Sequence, residues 1–81
     1  PKEMAGLNYS LLITPLLLGK GTAQSKETLK ALLQSASTAE FNDSTFEHFY
    51  EALITGNIEE YNYKFNFPDS LLSLILGLIS H

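Results

Sequence analysis

The sequence predicts a single all-α domain, residues 1–81, of five or six short helices. Three observations support a single helical domain that is stabilised by side-chain packing. The length of 81 residues suits one small domain. The apolar residues recur mainly at helical spacing. The chain also contains no cysteine, so side-chain packing, rather than disulfides or zinc thiolates, must hold the domain together.

The first helix is predicted to end where a proline interrupts it. Proline has no backbone N–H and clashes with the preceding helical turn, so a helix interior is unfavourable for Pro15. We expect Thr14 to cap a new short turn over residues 15–18. The apolar face of the first helix is predicted to consist of Leu7, Leu11, Leu12 and Ile13.

Capping signals predict the second and third helices. Ser25 is the expected cap of a helix that ends near Gln34 and turns Leu29, Leu32 and Leu33 inward. Capping-box spacing occurs at Ser37/Glu40 and again at Ser44/Glu47, where the third helix is predicted to begin. Gly56 is predicted to end it. Its apolar residues follow the i, i+3, i+4, i+7, i+8 pattern and are Phe46, Phe49, Tyr50, Leu53 and Ile54.

Residues 61–67 alternate aromatic and polar side chains, a pattern typical of a strand. A lone strand cannot form a sheet, so we favour a short helix from Asn57 that runs into an extended segment. The alternative is an edge strand that pairs with a partner. Pro68 favours extended geometry at Phe67, and Asp69 is the predicted cap of a final helix over residues 70–80.

The final helix is apolar nearly all round. One face would carry Leu71, Leu74, Ile75 and Leu78, and a second face would carry Leu72, Leu76 and Ile79. Such a helix must be covered on nearly all sides. We therefore expect it to be central, to meet a second copy of the chain, or to bind a partner.

Charge is unevenly distributed and limits the classes of partner. Residues 1–30 carry four lysines and two glutamates, and residues 31–81 carry one lysine and seven acidic residues, giving net charges of +2 and −6. Arginine is absent, so we expect no nucleic-acid partner. The longest apolar stretches fall short of the roughly 20 residues that span a bilayer, so no membrane partner is expected. We expect a cytoplasmic and nuclear location.

The sequence offers little catalytic chemistry. His48 lies between Glu47 and Glu51, a pattern more typical of a solvated acidic helix face than of a metal site. The segment Gly19-Lys20-Gly21-Thr22 lacks the spacing of a phosphate-binding loop. We expect no catalytic residue, metal or cofactor, and therefore no enzyme.

Binding is the better-supported class of function. Eight aromatic residues lie between positions 41 and 67, and most of them should be core, with the remainder serving as surface anchors. The acidic residues from Glu40 to Glu60 are uninterrupted by lysine and would favour a basic partner. The predicted partner-binding residues are Leu72, Leu76, Ile79, Tyr63, Phe65 and Phe67.

The second half resembles a known family. Leu29–Ser35 forms a Leu-rich helix followed by Glu40-Phe41, then by Phe49–Gly56, which ends Ala-Leu-x-x-Gly, and then by Phe65-Asn66-Phe67-Pro68. This order resembles the DEUBAD (deubiquitinase-adaptor) domain family, represented at the C-terminus of a proteasomal ubiquitin receptor. The likeness covers residues 16–72. Asn66 replaces the family's glycine, the spacing from Ser35 to Phe41 is longer, and one residue is inserted before Gly56.

The resemblance implies a non-catalytic adaptor that binds the C-terminal helical extension of a proteasome-associated ubiquitin C-terminal hydrolase. Such domains hold that extension and an active-site-crossing loop so that ubiquitin can dock, and a related domain inhibits the same enzyme. We expect activation. The alternatives are a self-associating helical domain, hence a homodimer, and a small membrane-active or immunity-type helical protein.

Overall fold

Five helices form the fold, which the computed structural model describes over residues 2–80, with side chains from residue 8 onward. They are α1 (Lys2–Leu17), α2 (Ala23–Ala36), α3 (Asp43–Thr55), α4 (Ile58–Phe65) and α5 (Asp69–Ile79). No strand occurs within residues 2–80. The all-α prediction is therefore confirmed, with five helices.

All five helices contribute to one apolar core. Helix α1 packs against α2 and α5, and α4 packs against α3 and α5. No polar or charged residue is buried in the described part of the chain. Because hydrophobic burial is the main stabilising contribution to folding, this cluster is what fixes the helices relative to one another. The buried residues are Ile13, Leu16, Leu29, Leu33, Phe41, Phe49, Ala52, Leu53, Ile58, Phe65, Phe67, Leu71 and Ile75.

Helix α1 continues through Pro15 to Leu17, so the predicted break at Thr14 is wrong. Proline lies in the last turn, where its missing N–H removes a single intrahelical bond and the helix is about to end anyway. Gly19, at a φ of 74°, ends α1 in the left-handed conformation. The N–H of Lys20 donates to the carbonyl of Pro15 at 2.8 Å, which satisfies one of the free carbonyl groups at the helix end.

The inward face of α1 also differs from the prediction. Leu11 is 63% exposed, whereas Ile13 and Leu16 are buried. The hydroxyl of Tyr9 donates to the carbonyl of Leu32 at 3.3 Å and so orients α1 against α2. The side chain of Leu7 lies outside the described residues. Leucine occurs on several sides of α1, so periodicity alone could not select the buried face.

The N-terminal cap of α2 is Thr22 rather than Ser25. Thr22 and Ser25 form a capping box, in which the N–H of Ser25 donates to Oγ1 of Thr22 at 3.0 Å and the N–H of Thr22 donates to Oγ of Ser25 at 2.9 Å. Serine at the third helical position thus replaces the usual Glu or Gln. Leu29 and Leu33 are buried as predicted, and Leu32 is half-buried.

Helix α3 begins after Asn42, so the box predicted at Ser44/Glu47 does not form. Oδ1 of Asn42 accepts a hydrogen bond from the N–H of Thr45 at 2.9 Å. The pair Ser37/Glu40 starts no helix either, because Ser37 is the C-cap of α2. Several adjacent polar residues satisfy the same spacing rule, and packing determines which of them adopts the extended capping conformation.

The alternating segment is helical, and the strand alternative is wrong. Helix α4 covers Ile58–Phe65, which supports the favoured prediction of a helix end. Asn66 then takes a left-handed φ of 52°. The side-chain amide of Asn62 makes two hydrogen bonds to the backbone of Phe67. Its Oδ1 accepts from the N–H of Phe67 at 3.0 Å, and its Nδ2 donates to the Phe67 carbonyl at 3.3 Å. Asp69 is the first residue of α5, and Pro68 is its cap.

Two glycines are expected to respond oppositely to alanine. Gly77 lies within α5 with open space around it, so Gly77→Ala should raise the free energy of unfolding by about 0.5–1 kcal/mol through helix propensity. Gly56 has a φ of 77° at the C-cap of α3, so Gly56→Ala should lower it by about 1 kcal/mol. Urea denaturation followed by circular dichroism measures both. A destabilising Gly77→Ala would contradict the solvent-facing placement of Gly77.

Candidate functional site

Two predicted partner-binding residues, Phe65 and Phe67, are core residues, so their assignment to an exposed binding surface is wrong. Both are buried, and their ring centroids lie 5.3 Å apart. The ring of Phe49 lies 5.7 Å from that of Phe65 and 5.8 Å from that of Phe67. Phe41 contacts the same group. Phe65 lies on the buried face of α4, and the turn at Asn66 directs Phe67 inward as well, which the alternating pattern did not predict.

Polar bonds between the ends of α2 and α4 hold this turn in place. The hydroxyl of Ser37 donates to the carbonyl of Phe65 and accepts from the N–H of Ala39 at 3.1 Å. The side-chain amide of Asn66 donates to the hydroxyl of Thr38. The aromatic cluster is therefore part of the framework that presents the outer surfaces of α3, α4 and α5.

Tyr63, by contrast, is 76% exposed on the outer face of α4. The ammonium of Lys64 lies 5.5 Å from the ring centroid of Tyr61 and 5.9 Å from that of Tyr63. This geometry allows a cation–π interaction with each ring. Tyr63 is thus placed where a partner can reach it.

The predicted second face of α5 is half-buried. Leu72, Leu76 and Ile79 pack against the edge of the core without being fully covered. Only Leu71 and Ile75 of this helix are buried. A narrow stripe of small or polar residues faces solvent and consists of Asp69, Ser70, Ser73, Gly77 and Ser80. Leu74 and Leu78, on the other side of this stripe, are also half-buried.

Exposed apolar residues outside the predicted site occur on α1 and α3. Leu18 is 66% exposed at the end of α1, near the exposed Leu11, and Ile54 is 58% exposed on α3. Ile54 was predicted on the apolar face of α3 and is instead exposed, because it lies at the border of that face, next to Glu47 and Glu51.

A groove of about 390 Å³ lies between α2 and α3. An ion pair between Lys30 and Asp43 joins its two walls, and Glu27 lies 4.0 Å from the same ammonium. The hydrogen bond to Asp43 raises the pKa of Lys30 above its ordinary value. The other lining residues are Ala23, Lys26, Phe46 and Glu47. The groove is therefore charged at its rim, with an aromatic ring in its wall.

The side chain of His48 is exposed on α3 beside Glu47 and Glu51. No group of three or more His, Cys, Asp or Glu side chains converges on a metal-sized site in the described residues. Gly19-Lys20-Gly21-Thr22 connects the end of α1 to the cap of α2. The described helices include none with the length and apolar character of a membrane span.

Comparison of this chain with protein-family models, with curated proteins and with solved structures gives no match. The resemblance to the DEUBAD family therefore rests on the motif residues themselves. Those residues lie in α2, in the segment before α3, in α3 up to Gly56 and in the turn around Asn66, and several of them belong to the core.

Proposed function

We propose that this chain is a non-catalytic protein–protein interaction domain whose partner is a ubiquitin C-terminal hydrolase. The proposal of a protein–protein interaction rests on the partial burial of α5. This helix is almost entirely apolar, yet only Leu71 and Ile75 in it are buried. Half-covered leucine and isoleucine side chains favour burial by another protein, since apolar area removed from water is the main source of binding free energy.

The choice of a hydrolase as partner rests on the family resemblance, which the local structure supports at two points. Ala52-Leu53-x-x-Gly56 forms the end of α3, with Gly56 in the left-handed conformation. The turn Phe65-Asn66-Phe67-Pro68 has Asn66, the residue that replaces the family's glycine, at a φ of 52°. Asparagine tolerates this conformation better than most residues, so the substitution is compatible with the same turn.

The proposed mechanism is a shift in the conformational population of the hydrolase. The chain would bind the C-terminal helical extension of the enzyme in the conformation that allows ubiquitin to dock, and binding energy would raise the share of that conformation. The adaptor supplies no catalytic group. We place this activity in the cytoplasm and nucleus.

The direct test measures hydrolysis of a fluorogenic ubiquitin substrate with and without this chain. A higher rate, together with a complex that co-elutes in size-exclusion chromatography, supports the proposal. A lower rate with a stable complex would make the chain an inhibitor of the same enzyme. Unchanged activity and separate elution would rule out the hydrolase as partner.

Leu76→Asp is expected to weaken hydrolase binding by about tenfold or more while the helical circular dichroism signal is retained. Leu76 is half-buried, so an aspartate there can still reach water, but it would place a charge in the apolar contact. Ser73→Asp introduces the same group on the exposed stripe of α5 and is the matched control, with little expected change. Equal weakening by both variants would argue against a contact at Leu76.

The same face of α5 also favours self-association as a second candidate function. In that case the chain alone would elute as a dimer whose share rises with concentration, and Leu76→Asp would return it to a monomer. A chain that remains monomeric at high concentration would exclude this alternative. Co-sedimentation with liposomes tests the membrane-active alternative separately.

A further inference from the structure

Two parallel rows of side chains run along α3, where the core-facing side of the helix meets its exposed side. One row contains Phe46, Tyr50 and Ile54 and the other contains Asp43, Glu47 and Glu51, each with a spacing of four residues. Rows at this spacing form neighbouring ridges on a helix surface. The first row, which we term the α3 apolar ridge, is half-buried at Phe46 and Tyr50 and 58% exposed at Ile54.

The carboxylates of the second row are only partly neutralised. Asp43 pairs with Lys30, whereas Glu47 and Glu51 are exposed and form no ion pair with any residue in the described part of the chain. Unneutralised carboxylates next to an exposed isoleucine leave α3 with an apolar strip bordered by negative charge.

The ridge begins in the groove between α2 and α3. Phe46 and Glu47 line that groove from α3, and Lys26 lines it from α2. The ammonium of Lys26 lies 5.9 Å from the ring centroid of Tyr50, so α2 contributes a positive side chain at the middle of the ridge. The exposed carboxylates of Glu47 and Glu51 border the ridge along its length.

From this arrangement we infer that the α3 apolar ridge is a docking site for an amphipathic helix of another protein, with basic residues along the flank that faces Glu47 and Glu51. The four-residue spacing matches the ridges-into-grooves packing of a second helix. Charge complementarity determines the basic flank, since basic residues there would meet the exposed carboxylates of Glu47 and Glu51. The inference deepens the proposed function, because it names the kind of segment that an interaction domain of this shape would take.

The test uses a synthetic 18-residue amphipathic peptide with leucines on one face and lysines along one flank. Titration into the isotopically labelled chain, followed by NMR, should shift amide signals of α3 and of the groove wall of α2. Binding should weaken as the salt concentration rises from about 50 to about 500 mM, because exposed charge pairs are screened. A matched peptide with glutamate in place of lysine should not bind.

Paired variants locate the contact. Glu47→Gln with Glu51→Gln should weaken peptide binding about tenfold, while Glu59→Gln with Glu60→Gln, which removes the same charge from α4, should change it less than about twofold. Ile54→Ser should also weaken binding about tenfold, with Leu11→Ser, at a similarly exposed position on α1, as its control. The four glutamates of the first comparison and the two apolar side chains of the second are solvent-exposed, so loss of the fold would not account for a change in binding.

Three outcomes would overturn the inference: no binding of the lysine peptide, equal effects of the two glutamine pairs, or signal shifts confined to α5. The outcome is separable from that of the proposed function. If the hydrolase still binds the Glu47/Glu51 and Ile54 variants, its binding site is not on α3, and the adaptor proposal stands. If the peptide binds α3 but no hydrolase binds the chain, the α3 docking site stands and the adaptor proposal is wrong.

Discussion

Phe49→Ala is expected to lower the free energy of unfolding by about 3–5 kcal/mol, the largest loss of any single truncation to alanine in this domain. Phe49 is fully buried, and its ring lies between 5.7 and 6.4 Å from the rings of Phe41, Phe46, Phe65 and Phe67. Truncation would leave a cavity bordered by these rigid rings, which cannot easily move inward to fill it.

The consequence of this loss is large because the domain is small. At about 0.05–0.15 kcal/mol per residue, a chain of 81 residues has a total stability of about 4–12 kcal/mol. Urea denaturation followed by circular dichroism should show a lower midpoint, or a chain that is largely unfolded in buffer. Tyr63→Ala is the exposed aromatic control and should change stability by less than about 0.5 kcal/mol. A loss below about 1 kcal/mol at Phe49 would contradict its central position in the core.

Ile75→Asp is expected to unfold the domain. Ile75 is fully buried in α5 among apolar side chains, so aspartate would introduce a carboxylate without a partner, at a cost of several kcal/mol. Ile75→Leu conserves volume and should cost less than about 1.5 kcal/mol. Circular dichroism and the dispersion of amide signals in NMR spectra distinguish the folded from the unfolded variant.

The pH dependence of Ile75→Asp provides an additional check. Burial would raise the carboxyl pKa in the folded state above its unfolded value of about 3.9. The folded state then binds the proton more tightly, so the penalty should be smallest below about pH 4 and grow as the pH rises. A folded Ile75→Asp variant at neutral pH, with the stability of the parent chain, would show that Ile75 is not enclosed. Comparison with Leu76→Asp then separates the buried face of α5 from its half-buried one.

Helix α5 shows which of its side chains the sequence alone could predict to be buried and which it could not. Its nearly continuous apolar composition predicted that more than one face would be covered, and the structure covers Leu71 and Ile75 completely. Composition did not indicate that Leu72, Leu76 and Ile79 would lie at the core's edge, because the seven apolar residues cover every side of the helix except a narrow stripe of small and polar residues. The positions of α1 and α4 against this helix determine which of the apolar residues are fully buried.

The sequence pattern of residues 61–67 did not indicate which of the aromatic side chains are buried. Residues 61–67 alternate aromatic and polar side chains, and Tyr63, Phe65 and Phe67 are predicted partner-binding residues, yet of these three only Tyr63 faces solvent and the other two are buried. Ile58, Tyr61 and Phe65 are also spaced i, i+3, i+7, which is a helical pattern hidden within the alternation. The left-handed residue at Asn66 then directs Phe67 back into the core, an arrangement that depends on the contacts of Asn62 and Thr38.

By itself, the sequence determined the all-α class, the end of α3 at Gly56, the inward positions of Leu29, Leu33, Phe49 and Leu53, and the separation of charge between the two halves. These features follow from local rules of capping, periodicity and composition, which act within a few residues. Tertiary structure alone decided which capping residue started α2 and α3, how α1 passed Pro15, and which of many leucines remained exposed. Those outcomes depend on burial between helices distant in sequence, where local signals are nearly equal and packing selects among them.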